Sequence, residues 1–164
     1  VTLEEFNAAP AEEVTAALLA CCDAPAWAAT VRAGRPYSDV DALATAADTA
    51  ARALSEAEID RALAAHPRIG DRASGTDTGS AWSRQEQSGV DRDAATRQAL
   101  LEGNHAYEKR FGRVFLLCAT GLSSEEVLAS LRERLGHDPA HEAEVVADEL
   151  RKIAVLRTRK LVTA

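Results

Sequence analysis

An all-α fold, a single-domain bundle of about seven to nine helices, is what the sequence predicts, and three observations predict it. Ala, Leu, Glu and Arg dominate, with Ala alone about a fifth of the chain; these side chains lose little freedom on entering a helix. Alternating runs of β-branched residues, the mark of half-buried strands, are missing. Capping signals recur ahead of apolar residues set at helical spacing.

The elements follow in order. A first helix starts near Pro10, where Pro suits the opening turn and Glu12 and Glu13 sit at the positive end of the dipole. Val14, Ala17, Leu18 and Cys21 share its apolar face. A short helix over Ala24 to Ala33 leads to a turn through Gly34, Arg35, Pro36 and Tyr37, and Ser38 or Asp39 caps a helix running toward Leu54. Ser55-Glu56-Ala57-Glu58 is a capping box. The helix it opens ends near His66, because Pro67 disfavours α backbone at the residue before it. Gly70 to Ala81, rich in Gly, Ser, Thr and Asp, reads as the one long loop. Helix resumes near Ser83, and a long helix from about Asp91 to Arg110 carries Leu100, Leu101 and Tyr107 before Gly112 interrupts it. The run Val114 to Cys118 is open between buried helix and strand. Ser123-Ser124-Glu125-Glu126 reads as another capping box, opening a helix to Leu135, and a last helix runs from Pro139 to about Val162.

Charge and composition narrow the function classes. The balance of 19 basic and 26 acidic residues leaves a net charge of −7, a field that repels phosphate backbones, so no nucleic-acid partner is expected. No apolar run approaches the roughly 20 residues of a membrane span, and no basic leader precedes an apolar stretch, so no membrane partner and a cytoplasmic location are expected. Cys21, Cys22 and Cys118 are odd in number, two of them adjacent, which suits a reducing compartment better than a disulfide framework. With no CxxC, a structural zinc site is disfavoured.

Four stretches are richer in polar and special residues than packing needs: Arg35-Pro36-Tyr37, His66-Pro67-Arg68-Ile69-Gly70, Ser83-Arg84-Gln85-Glu86-Gln87-Ser88-Gly89, and Asn104-x-x-Tyr107-x-x-Arg110-Phe111-Gly112-x-x-Phe115. His66 at a helix end reads either as a side chain favoured by the dipole or as a proton donor whose charged form that dipole sustains. Ser83 and Glu86 have the spacing of a capping box, and Glu86 could instead orient a histidine or accept a substrate N–H. Asn104, Tyr107, Glu108 and Arg110 at helical spacing read as a satisfied network. Cys118 reads as a small apolar packing residue. His137 and His141 stand four apart, but Pro139 between them marks a helix start, so no metal site is expected there.

Taken jointly and in order, these stretches resemble one family, the decarboxylases of 2-oxo-4-hydroxy-4-carboxy-5-ureidoimidazoline (OHCU), an intermediate of urate breakdown. The resemblance also takes in Cys21-Cys22 with Trp27, Ser124-Glu125-Glu126-Val127-Leu128, and Lys152-Ile153-Ala154-x-Leu156-Arg157. It implies an all-α homodimer that needs no cofactor and converts a small-molecule substrate to (S)-allantoin with loss of carbon dioxide. By motif match, His66 is the catalytic acid/base and Glu86 pairs with substrate and imidazole. Pro67, the segment Ser83, Arg84, Gln85, Glu86 and Gln87, and the segment Leu117, Cys118, Ala119, Thr120 and Gly121 line the substrate pocket. Arg157 meets the anionic substrate, with Arg159 as its neighbour in sequence.

Elementary chemistry is compatible with that assignment. Decarboxylation leaves an electron pair that needs a sink; no lysine stands in a Schiff-base setting and no cofactor motif is visible, so the substrate's own conjugated imine must serve. The competing expectation is a non-catalytic helical interaction module whose polar motifs are caps and dimer contacts. A metal-dependent hydrolase built on His137 and His141 is a distant third.

Overall fold

The computed structural model describes residues 1–71, 75–90 and 93–163. Among these, nine helices and no strands occur: α1 Leu3–Ala8, α2 Ala11–Cys21, α3 Pro25–Ala33, α4 Val40–Arg52, α5 Glu56–Ala64, α6 Thr78–Glu86, α7 Ala94–Phe111, α8 Ser124–Leu135 and α9 Pro139–Thr163. The all-α expectation holds. No described helix is long and apolar enough to cross a membrane.

Local chemistry sets most boundaries. Thr2 and Glu5 form a reciprocal capping box that opens α1, and Phe6 is the residue that α1 buries. This short helix precedes the first one expected from the sequence. Pro25 occupies the first turn of α3, where its missing N–H costs nothing. Between the two candidates for the α4 cap, Asp39 holds the position and accepts from the Ala42 amide at 2.7 Å. The Ser55–Glu58 box opens α5 as expected, and the helix stops at Ala64, two residues ahead of His66. Gly112 closes α7 in the left-handed conformation at φ 70°, which glycine adopts without a Cβ clash.

Several expectations differ in detail from the structure. Ser83 and Glu86 do not cap a helix: α6 begins at Thr78, Asp77 is its cap through the Ser80 amide at 2.9 Å, and Ser83 to Glu86 form its last turn. The expected loop 70–81 is therefore shorter, and its residues 72–74 lie outside the described residues. The long helix begins at Ala94 behind the Asp93 cap; the expected start at Asp91 falls outside the described residues. The run Val114 to Cys118 is neither helix nor strand but irregular backbone. At α8 only the Ser123 half of the proposed box forms, accepting from the Glu126 amide.

The chain divides into two compact units, residues 1–65 with 150–164, and residues 66–149; α9 runs through both. In the first, α2 packs on α3 and α3 on α4, burying Leu18, Trp27, Val31 and Leu43. The Trp27 indole donates to the Ala47 carbonyl at 2.9 Å, which satisfies its one polar atom inside an apolar setting. Arg151 reaches Asp48 at 2.5 Å and Arg159 reaches Asp41 at 2.8 Å, fastening the second half of α9 to α4.

The second unit is built on α7 against α8. Gly103 permits the approach, because a Cβ there would collide with the Leu131 side chain. Its core gathers Ile69, Val90, Leu100, Tyr107, Phe115, Ala119, Val127 and Leu131. Beside that core lies a buried polar knot. The Tyr107 hydroxyl donates to Glu142 Oε1 at 2.6 Å, and Arg134 Nε donates to the same oxygen at 2.8 Å. His137 Nδ1 faces Glu142 Oε2 at 3.0 Å. Burial and the Glu142 carboxylate push the Tyr107 phenol far above its ordinary range. The Arg134 guanidinium lies 4.5 Å over the Phe115 ring and donates from Nη1 to the Leu116 carbonyl. This bond fastens irregular backbone that has no ladder or helix partner of its own.

Candidate active site

The site residues expected within 66–121 all belong to the second unit. His66 follows directly on Ala65, the C-cap of α5, and is half-buried together with Pro67. Ser83, Glu86 and Gln87 are buried at the end of α6, Glu86 with 7% of its surface exposed. Arg84 is half-buried and donates from Nη1 to the Gly75 carbonyl at 2.8 Å, whereas Gln85 is exposed. In the third segment Ala119 is buried, Leu117 and Cys118 are half-buried, and Thr120 and Gly121 are exposed. Gly121 is left-handed at φ 78°, turning the chain toward α8.

These three stretches meet. The Gly70 amide donates to Gln87 Oε1 at 3.0 Å, joining the loop after His66 to the residue after Glu86. A Cβ on Gly89 would strike the Leu122 carbonyl oxygen, so the turn leaving α6 runs directly against the end of the 117–121 segment. Each stretch also sinks one apolar residue, Ile69, Val90 or Ala119, into the same core cluster. The chain segments that carry His66, Glu86 and the irregular backbone of 117–121 are thereby joined to one another. An imidazole and a carboxyl are residue types that can move a proton.

Arg157 belongs to the first unit. It is buried on α9 with 4% exposure, close enough to Cys22 for its charge to act on that thiol. Arg159, its alternative, is exposed and paired with Asp41. Among the described residues no group of three or more His, Cys, Asp or Glu is placed to hold a metal ion. The His137 and His141 rings instead meet edge to face, their centroids 4.3 Å apart.

Sequence reasoning missed the fastening around these stretches. Asn104 donates to the Ile69 carbonyl at 2.8 Å, and Glu108 takes both the Nε and Nη2 bonds of Arg68. The helical spacing of Asn104 and Glu108 was visible, but not that their partners lie 35 and 40 residues earlier.

Comparison with known proteins identifies the family. The family model described as OHCU decarboxylase matches residues 7–159. The chain is 32% identical over 145 residues to the uric acid degradation bifunctional protein TTL of Arabidopsis thaliana, covering 86% of this chain and 45% of that longer protein. It is 31% identical over 141 residues to the OHCU decarboxylase of Amia calva, covering 84% of this chain and 81% of the relative. Among solved structures, a crystal structure of OHCU decarboxylase in the presence of (S)-allantoin superposes with a TM-score of 0.76 at 30% identity, covering 95% of this chain and all of that one. The chain belongs to the OHCU decarboxylase family.

Proposed function

We propose that this chain decarboxylates OHCU to (S)-allantoin as a step of urate breakdown, with His66 and Glu86 handling the protons. The observation that carries the reading is the anchoring of Ile69, Val90 and Ala119 in one cluster, with Gln87 bonded to Gly70. It supports placing the loop of His66, the helix end of Glu86 and the 117–121 segment around one small ligand. In the reaction, the bond from the ring carbon to its carboxylate breaks and carbon dioxide leaves. The electron pair moves into a new double bond toward the neighbouring carbon, and the imine nitrogen takes up a proton. The enol so formed loses its hydroxyl proton and gains one on that neighbouring carbon, giving the carbonyl and the stereocentre of allantoin.

The protein's share is to hold the carboxylate out of the ring plane, to exclude water from it, and to deliver the carbon-bound proton to one face. His66 gives that proton, Glu86 orients the imidazole or accepts a substrate N–H, and Pro67, Ser83, Arg84, Gln85, Gln87 and Leu117 to Gly121 line the pocket. Arg157 as the partner of the substrate's charge and a homodimeric assembly come with the family resemblance; a cytoplasmic location is the expectation drawn from the sequence pattern. The test is the ultraviolet decay of freshly made OHCU with and without the protein, followed by chiral analysis of the allantoin. Accelerated decay to one enantiomer, lost in His66→Asn, is expected. Decay at the spontaneous rate to a racemate would return the chain to a non-catalytic helical module.

A further inference from the structure

One stripe of α7 carries the loop of His66. Leu100, Asn104 and Glu108 stand at successive four-residue steps, hence on one face of the helix. Each meets a different point of the loop. Leu100 lies beneath Gly70, where a Cβ would come within 3.0 Å of its Cδ1 and where the left-handed φ of 95° already requires glycine. Asn104 Nδ2 donates to the Ile69 carbonyl, and Glu108 grips the Arg68 guanidinium through two bonds. From the other side, Gln87 accepts the Gly70 amide. The loop closes on itself through the Asp71 amide bonded to the Arg68 carbonyl.

Asn104 is the informative member. It is 97% buried, and among the described residues its Oδ1 has no hydrogen-bond partner. A buried amide with one half unpaired lowers stability, and an apolar side chain of similar size would avoid that cost. What the amide does supply is a fixed tie to a backbone carbonyl three residues from His66. Glu108 sits half-buried at the edge of the same stripe and Arg68 is exposed, so their ion pair adds little to the fold, but two parallel bonds define a direction.

We propose that Asn104 and Glu108 are positioning residues for His66, forming with Leu100 a bed on α7 that holds the 66–71 loop in the geometry needed for proton delivery. This rests on the decarboxylase reading for its chemistry, though not for its geometry. A donor displaced by about an ångström delivers its proton slowly and without facial control.

The experiment compares wild type with Asn104→Ala and Glu108→Ala by three readouts well below the unfolding temperature: amide hydrogen exchange at residues 68–71, kcat and KM on OHCU, and enantiomeric excess after subtraction of spontaneous decay. In Asn104→Ala the loop amides should exchange faster and kcat should fall by about tenfold or more, with KM changed less than about threefold. The enantiomeric excess should fall as well. Glu108→Ala, at a half-buried site, should move all three in the same direction by smaller amounts. A smaller folded fraction lowers the rate but leaves the enantiomeric excess untouched, so loss of rate at constant excess overturns the positioning role. Unchanged loop exchange in both variants overturns the bed itself, whatever the kinetics. If wild type neither accelerates decay nor yields one enantiomer, it is the decarboxylase reading that falls, while the exchange data still decide whether α7 holds the loop.

Discussion

Removing the Glu142 carboxylate strikes the most deeply buried charge pair in the second unit. The Glu142 and Arg134 side chains keep 1% and 4% of their surface exposed; Glu142 Oε1 accepts from Tyr107 Oη at 2.6 Å and from Arg134 Nε at 2.8 Å, and Arg134 Nη2 stands 2.6 Å away as an ion-pair contact. Glu142→Ala leaves the guanidinium buried without its counter-charge and the phenol without its acceptor. Breaking such a pair from one side costs about 3–5 kcal/mol. At this chain length each kcal/mol lowers the thermal midpoint by about 2–4 °C, so a fall of about 6–20 °C is expected. The double variant Arg134→Met with Glu142→Leu removes the desolvation cost together with the attraction, and most of the loss should return. Burial pushes the Glu142 carboxyl up, but the bonds from Arg134 and Tyr107, and the contact with His137, outweigh it and hold the group below its ordinary value of 4.5. The folded state therefore binds this proton less readily than the unfolded chain. The stabilisation is complete above about pH 4.5 and fades as the pH drops below it, and Glu142→Gln should flatten that part of the curve. Urea titrations followed by circular dichroism across pH 3 to 7, with a thermal scan at neutral pH, provide the assay. A loss under about 1 kcal/mol in Glu142→Ala, or a double variant less stable than the single one, would refute the reasoning.

The remaining predictions are more local. If Arg157 meets the substrate's negative charge, Arg157→Ala raises KM by about 10- to 100-fold, the worth of one charge-assisted hydrogen bond, with a smaller change in kcat; the same phenotype in Arg159→Ala instead would transfer that role to the exposed, Asp41-paired neighbour. Burial pushes the Cys22 thiol up to about 12 despite the positive charge of Arg157, so alkylation at pH 8 should spare Cys22 in the native protein and reach all three cysteines in denaturant. Mass spectrometry of the labelled peptides checks this, and native labelling of Cys22 at the rate of a free thiol would contradict its burial.

Some helix termini were legible in the sequence from signals carried within three or four residues, while the Thr2–Glu5 box, of the same spacing, was not. The Ser55–Glu58 box and Gly112 act where their spacing or chemistry places them. Ser83 to Glu86 shows the limit of such reading. The same three-residue step recurs inside any helix, and Asp77, whose carboxylate takes both the Ser80 amide and its hydroxyl, wins the cap six residues earlier. The irregular path of Val114 to Cys118 was not legible, because what satisfies the Leu116 carbonyl is Arg134, from a helix that begins eight residues later. Of the candidate site, the residue types were legible through their order along the chain. Their fastening was not: Gln87 with Gly70, Asn104 with Ile69 and Glu108 with Arg68 are choices among many equivalent amides and ions, and only the packing of α7 settles them.

The most direct test of the account is a double-mutant cycle on kcat/KM for OHCU decay with His66→Asn, Glu86→Gln and both together. Two groups serving one proton transfer on one bound molecule act as a unit, so each single change should cost at least about 10²-fold and the pair little more than the worse single change. Costs that multiply would mean independent contributions, and a fully active Glu86→Gln would mean that the buried carboxyl at the end of α6 takes no part in the chemistry.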